Sequence, residues 1–179
     1  MKLLEGAVTI IDFETTGLSS SQDRVVEAAA LRMEPNSMEW TVYCTLVDPQ
    51  TVIPIDATAI HGITNEMVKG KPTFDVVARH LVEFAAGSTL VAHNLKFDIG
   101  FLNAGLRRHG MPEWRGPSED SLRVARRAWP GLGKHKLEFL VDYLQIDRDV
   151  GGNHRAGADV VFTARMLVKA AAKLGSSAQ

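Results

Sequence analysis

Three short stretches of this sequence carry residue types that could do chemistry. The first is Asp12-x-Glu14-Thr15-Thr16-Gly17, at the end of the apolar run Ala7 to Phe13. The β-branched content of that run (Val8, Thr9, Ile10, Ile11) predicts a strand buried on both faces. Residues two apart on a strand point to the same side, so Asp12 and Glu14 share one side at its C-terminal end. Adjacent carboxylates repel, and the repulsion must be offset by a proton or a cation. Oxygen-only donors of this kind suit Mg²⁺ or Mn²⁺. Taken alone, the pair equally fits an acidic strand end facing water. Gly17 predicts a turn that a ligand or another stretch of backbone can approach closely.

The second stretch is His93-Asn94-Leu95-Lys96-Phe97-Asp98, which crosses from a short apolar strand into a helix. Asp98 falls in the first helical turn, where the helix dipole favours negative charge, and Asn94 is placed to cap. These local roles compete with a chemical one. The third stretch is Asn153-His154-Arg155-Ala156-Gly157-Ala158-Asp159. His154 lies on a glycine-flanked loop, and an imidazole can take a proton from a reacting water near neutral pH. A solvated loop histidine is the alternative. Asp159 is expected at the start of the last helix, on the face opposite its buried stripe.

The elements that must hold these residues follow from periodicity. Runs at Val25–Met33 and Trp40–Val47 predict two further strands in an antiparallel meander with the first. Residues 49–72, with Pro54, Gly62, Gly70 and Pro72, form a long irregular connection of the kind that is often functional. A helix is expected over Phe74–Ala86, a strand over Thr89–Ala92 and a helix from about Lys96 to His109. Two more helices are expected at Asp120–Trp129 and Lys136–Leu144. The last helix follows Gly151-Gly152-Asn153 and buries Val160, Ala164, Leu167, Ala171 and Leu174. One domain over residues 1–174 is expected, with 175–179 as a frayed tail. Strands first, then a strand–helix unit and helices, imply an α/β sheet with helices on its faces.

Bulk composition narrows the function classes. The chain has 179 residues, 45% hydrophobic and 23% charged, as in an ordinary globular domain. A net charge of −1 excludes a basic nucleic-acid coat, so a polyanion would be held by a local patch or through cations. Arg107, Arg108, Arg123, Arg126, Arg127, Lys134 and Lys136 are the candidates for such a patch. The single cysteine, Cys44, excludes an internal disulfide and reads as packing. No secretory signal or membrane span is evident, and a cytoplasmic enzyme is expected.

Together, in this order, the three stretches resemble the exonuclease motifs of the DEDDh (DnaQ-like) family of 3′→5′ exonucleases. That family includes the epsilon proofreading subunits of bacterial DNA polymerases, RNase T and oligoribonucleases. The spacing of five between His154 and Asp159 is similar to the histidine branch. Ile60-His61-Gly62-Ile63-Thr64 resembles the family's segment near the terminal nucleotide, and Asp120-Ser121-Leu122-x-x-Ala125-Arg126 resembles the stretch after the fifth strand of the epsilon branch. The likeness runs from about residue 7 to 170.

The resemblance implies an RNase H-like exonuclease fold, a mixed five-stranded sheet with helices on both faces. It implies two divalent metal ions, Mg²⁺ or Mn²⁺, held by Asp12, Glu14, Asp98 and Asp159, with His154 as general base. It further implies that Thr15, Gly17, His61, Asn94 and Phe97 bind the strand end. The implied substrate is a single-stranded 3′ end, DNA before RNA, in proofreading or repair, with a DNA polymerase as the implied partner. Two alternatives stay open within the fold: an RNase T-like exoribonuclease trimming RNA ends, and a non-catalytic nucleic-acid-binding module. An aspartyl-phosphate phosphatase with Asp12 as nucleophile fits less well, because it leaves His154 without work.

Overall fold

The β-branched run that opens the chain forms β1 (Val8–Thr15), which lies in the middle of a five-stranded sheet. Strands β2 (Val25–Met33) and β3 (Trp40–Leu46) continue from it as the antiparallel meander. On its other side β1 pairs in parallel with β4 (Thr89–Ala92), and β4 with β5 (Ser118–Asp120), giving the order β3-β2-β1-β4-β5. The computed structural model describes residues 2–35, 37, 39–150 and 154–176. Gly151, Gly152 and Asn153, expected to precede the last helix, lie outside the described residues, as do 177–179.

Helices cover both faces. On one, α3 (Phe74–Phe84) and α4 (Leu95–Arg108) pack against Ile11, Phe13, Ala28 and Ala30. On the other, α5 (Ser121–Ala128), α6 (Leu137–Tyr143) and α7 (Ala156–Ser176) pack against Val8, Ile10, Ala29 and Leu31. Alternation along β1 therefore aims Asp12 and Glu14 at the α7 side, with Val8 and Ile10. Three consecutive small residues in β2, Ala28–Ala30, are wholly buried and let both helical layers approach the strand closely.

The connection at 49–72 is not irregular throughout. It contains α1 (Ile55–His61) and the single turn α2 (Asn65–Val68), with Ile53, Ala57, Ile63 and Val68 packed on Val26 in a small core of their own. α2 is a single turn, and α1 exposes its large apolar residues Ile55 and Ile60 while burying Ala57 and His61, so neither shows an apolar stripe in the sequence. Gly62 ends α1 in the left-handed region, with its N–H donated to the Thr58 carbonyl at 2.8 Å. β5, three residues long, likewise offers no pattern to read.

Two further expectations are corrected. α7 does not bury one stripe. From Ala156 to Leu167 it is enclosed on nearly all sides, Val161, Phe162 and Thr163 included, because it runs between the sheet and the α5–α6 layer. Asp159 consequently turns toward the strands and is partly buried. α7 also continues through Ser176, past the end expected at 174. Cys44 is exposed on the edge strand β3, with its Sγ 3.1 Å from where a Cβ on Gly157 would stand, so it rests on the first turn of α7 without joining the core.

Candidate active site

The two strand carboxylates meet the helix carboxylate in space. Oxygens of Asp12, Glu14 and Asp159 lie within 4.8 Å of one another. The β1–β2 register shifts between Glu14 and Thr15, from Glu14 opposite Glu27 to Thr15 opposite Val25, an irregularity of the bulge kind beside the carboxylates. Asp98 stands behind the trio, 3% exposed, and accepts the Phe13 N–H on Oδ1 at 3.2 Å. It belongs to the same electrostatic cluster without sharing the 4.8 Å triangle.

Burial and mutual repulsion raise all four acids. Burial, followed by the charges of Asp98, Asp159, Glu14 and Glu27, holds Asp12 well above the usual carboxylate range. Glu14 rises to about 8, first through burial and then through Asp159 and Glu27, with Arg155 opposing. Asp159 rises to about 6 through burial, partly offset by His154. Asp98 is raised by burial although backbone N–H groups oppose it. None of the four forms an ion pair among the described residues. A desolvated, unpaired cluster of hard oxygen donors is an environment that a divalent cation satisfies.

The Thr15-Thr16-Gly17 turn is braced from within. Thr15 Oγ1 donates to the Gly17 carbonyl at 2.6 Å, and Thr16 Oγ1 donates to Asp23 Oδ1 at 3.2 Å. Ser19 N–H donates to Asp23 Oδ2 at 2.8 Å. A Cβ on Gly17 would lie 2.6–2.7 Å from the Asp23 carboxyl, so the close approach that glycine permits here is by Asp23. Leu18, at the tip of this turn, is 87% exposed, an apolar side chain standing in water beside a charged site.

Asn94 occupies the N-cap position of α4 at φ 77°, but its side chain makes no capping bond. Its N–H instead donates to Asp120 Oδ1 at 3.1 Å, an oxygen that also caps α5 by accepting from Leu122 N–H. Asn94, Phe97 and Lys96 line a cavity of about 300 Å³ with Leu18, Ser20 and Phe101. Phe97 is half-buried against Phe101, centroid to centroid 4.9 Å, so it serves the core and this cavity together. His61 is 5% exposed, and its Nδ1 accepts the Ile63 N–H at 3.0 Å, which places the ring proton on Nε2. Burial holds its pKa below the usual imidazole range, with the Thr15 backbone partly compensating. His154 is exposed at φ 60°, and its N–H donates to Asp159 Oδ2 at 3.2 Å. His93 bridges Ser121 Oγ and the His135 carbonyl, a structural tie away from the trio.

One buried residue was not flagged by the motif pattern. Glu27, 2% exposed, is the register partner of Glu14 across β1–β2. It accepts Arg155 Nη2 at 2.6 Å and the Ala156 N–H at 2.9 Å. Like charges directly opposite on a sheet are unfavourable, so this placement requires compensation, and Arg155 supplies it. The pair pins residues 155 and 156 and thereby sets both His154 and Asp159. The only signal in the sequence was a single acid within the apolar run Val25–Met33.

This sheet order, with acidic residues gathered at the end of its central strand and at two helix starts, defines the exonuclease class of the RNase H-like fold. The family model described as exonuclease matches residues 9–167, and the chain belongs to that family, as a 3′→5′ exonuclease of the DnaQ-like type. It is 33% identical over 167 residues to the DNA polymerase III subunit epsilon of Aquifex aeolicus, covering 93% of this chain and 81% of that protein. It is 37% identical over 158 residues to the PolC-type DNA polymerase III of Clostridium perfringens, covering 88% of this chain but 11% of that polymerase. The chain thus spans about a tenth of the length of its PolC-type relative. A solved structure of exonuclease X in complex with 5′ overhanging duplex DNA superimposes with a TM-score of 0.72 at 30% identity, covering 94% of this chain and 93% of that one. Exonuclease I, at 22% identity and a TM-score of 0.78, shares the fold over 93% of this chain and 40% of its own.

Proposed function

We propose that the chain shortens DNA from its 3′ end, releasing nucleoside monophosphates one at a time, as a proofreading or repair nuclease. The observation that carries this reading is the trio Asp12, Glu14 and Asp159, with oxygens within 4.8 Å and no ion pair among the described residues. Asp12, Glu14 and Asp159, with Asp98 beside Asp12, are the residues that would hold two divalent metal ions, Mg²⁺ or Mn²⁺. Such ions supply Lewis acidity, offsetting the acidic charge and the charge that builds on phosphorus while making water a competent nucleophile near neutral pH.

His154 takes the proton from the attacking water, since its side chain is exposed on the loop while its backbone N–H holds Asp159. The water oxygen bonds to phosphorus, the P–O3′ bond breaks, and the departing 3′ oxygen takes a proton to become the new strand end. The braced turn Thr15–Gly17, His61, Asn94 and Phe97 position that end, with Leu18 and Phe97 offering apolar surface to the terminal base. The epsilon and PolC relatives support DNA as substrate and a DNA polymerase as partner.

The test is incubation of 5′-labelled single-stranded DNA and RNA of matched sequence with Mg²⁺, Mn²⁺ or EDTA, beside Asp12→Ala. A metal-dependent ladder from the 3′ end, faster on DNA and absent in the variant, is expected. A faster RNA ladder would move the substrate to RNA. Intact substrate in every lane, with strand binding retained, would make the chain a binding module.

A further inference from the structure

One cavity lies away from the carboxylates. It encloses about 410 Å³ between the C-terminal half of α4, the 22–25 segment and the 48–51 loop. Arg24, Arg108 and His109 line it together with Gln22 and Gln50, and Phe101 forms part of its floor. Arg108 Nη2 donates to the Ser20 and Ser21 carbonyls at 2.5 and 2.9 Å, and Arg24 Nη1 donates to the Gln22 and Asp23 carbonyls at 2.6 and 2.9 Å. Both guanidiniums are thus fixed by neutral oxygens, and neither forms an ion pair among the described residues. They are also near enough to repel. Burial, then Arg24 and Arg107, draw the Arg108 pKa down, with Asp23 opposing.

The acids nearby are hydrogen-bonded to neutral donors. Asp23 turns one oxygen to Thr16 and the other to Ser19, and Asp48, the acid on the cavity wall, accepts the Gln50 N–H at 2.9 Å. Gln50 is held at φ 54°, a conformation that costs energy for a residue with a side chain, and it faces the cavity. Two fixed, mutually repelling guanidiniums face one acid, Asp48, across the cavity, so its lining keeps a positive excess that an anion can satisfy.

Its position indicates which anion. Phe101 also lines the smaller cavity with Leu18, Asn94, Lys96 and Phe97, the residue before Asp98. The two depressions share Phe101 and lie along one side of α4, with Ser20 and Ser21 crossing the helix beside Arg108. From Phe97 to Arg108 the helix advances about 16 Å at 1.5 Å per residue. A stacked strand covers that in about five nucleotide steps of ~3.4 Å, and a stretched one in fewer.

We propose that this cavity is a second phosphate site, holding an internal phosphodiester of the strand whose 3′ end lies at Asp12, Glu14 and Asp159. This rests on the exonuclease reading above and adds to it a requirement for strand length. Only a strand reaching back several nucleotides can fill both places.

The test compares two substrates, the p-nitrophenyl ester of thymidine 5′-monophosphate, which has no internal phosphodiester, and a single-stranded DNA of about 20 nucleotides. Gln22→Glu and Gln50→Glu add negative charge to the wall without removing any bond that braces the loop, and Arg24→Gln and Arg108→Gln remove positive charge. On the ester, all variants are expected to match the parent protein within about twofold, whereas on the long strand KM rises about tenfold. Each arginine removed should also make the fall of kcat/KM with salt shallower by about one in log–log slope. The parent's KM should drop as strands lengthen to about five nucleotides and then level off.

Unchanged long-strand KM in all four variants, or parallel losses on both substrates, would overturn the site. So would variants in which inhibition by free thymidine monophosphate changes while long-strand KM does not, since the cavity would then serve a mononucleotide. Binding of the labelled strand by Asp12→Ala protein, followed by fluorescence anisotropy, reads the same site without turnover. Weaker binding by the charge variants in that background supports it even where hydrolysis is absent, whereas equal binding counts against it. A parent protein that hydrolyses neither substrate would sink the catalytic reading alone.

Discussion

Raising the pH of the metal-free protein from about 5 to about 9 should weaken it, and a divalent cation should restore what is lost. Glu14 binds its proton in the folded state with a pKa of about 8, against 4.5 for an ordinary glutamate, and Asp159 with about 6 against 3.8. A folded-state pKa above the unfolded one means that the folded chain binds more protons across that interval. Stability is then highest below the unfolded value and falls as pH climbs through the folded one. The window for Asp159 closes near 6 and that for Glu14 near 8.

At about 1.4 kcal/mol per tenfold change in proton affinity, the Glu14 shift alone corresponds to roughly 5 kcal/mol and that of Asp159 to roughly 3. Both groups are partly open to water, and the same repulsion is counted in more than one of them. The observable loss should therefore be nearer 2–4 kcal/mol, or about 5–15 °C in Tm for a chain of this length. Thermal melts at about pH 5, 7 and 9, with EDTA or Mn²⁺, measure it. Mn²⁺ should raise Tm strongly at the highest pH and little at the lowest, because cations compete with protons for the same oxygens. Asp12→Asn should flatten the metal-free pH dependence and blunt the response to Mn²⁺. A metal-free Tm that stays level or rises from about pH 6 to 9 would refute the electrostatic picture of the site.

Other expectations follow from particular contacts. His154→Ala should slow turnover by about 10²–10⁴-fold while Mn²⁺ affinity stays within about threefold; unchanged turnover would remove His154 from the chemistry. Glu27→Gln should cost about 1–3 kcal/mol in urea melts and weaken Mn²⁺ binding, because the anchor of Arg155 and Ala156 loosens. Wild-type melts with wild-type Mn²⁺ affinity would show that the start of α7 is held by other contacts. Gly105→Ala should cost about 1–3 kcal/mol, since the added Cβ collides with the Phe74 ring between α3 and α4. A variant as stable as the parent would mean that this interface yields without strain.

The order of the chemistry along the chain was legible in the amino acids alone. Strand alternation put Asp12 and Glu14 on one side, and helical phase put Asp98 in the first turn of α4. The antiparallel meander and the helices from Phe74 onward were equally open to inspection, because their apolar residues recur on the face that is buried. α1, α2 and β5 were not, since α1 exposes Ile55 and Ile60 while burying Ala57 and His61, α2 is a single turn, and β5 (Ser118-Glu119-Asp120) has no apolar residue.

Only the folded chain decided which acids meet. Asp159 lies 147 positions beyond Asp12 in sequence, yet it joins Asp12 and Glu14 while Asp98 stays behind them, held by the Phe13 N–H. Enclosure of α7 on nearly all sides turned Asp159 toward the strands and partly buried it, a consequence of layer packing that no single-helix pattern contains. Glu27 and Asp23 belong to the same class of fact. Each is an unremarkable acid in the sequence, and its role comes from partners the fold delivers: Arg155 and Ala156 for the one, Thr16 and Ser19 for the other. Periodicity is a local property and survives in the one-dimensional string, whereas burial and charge pairing are sums over neighbours that exist only once the chain has packed.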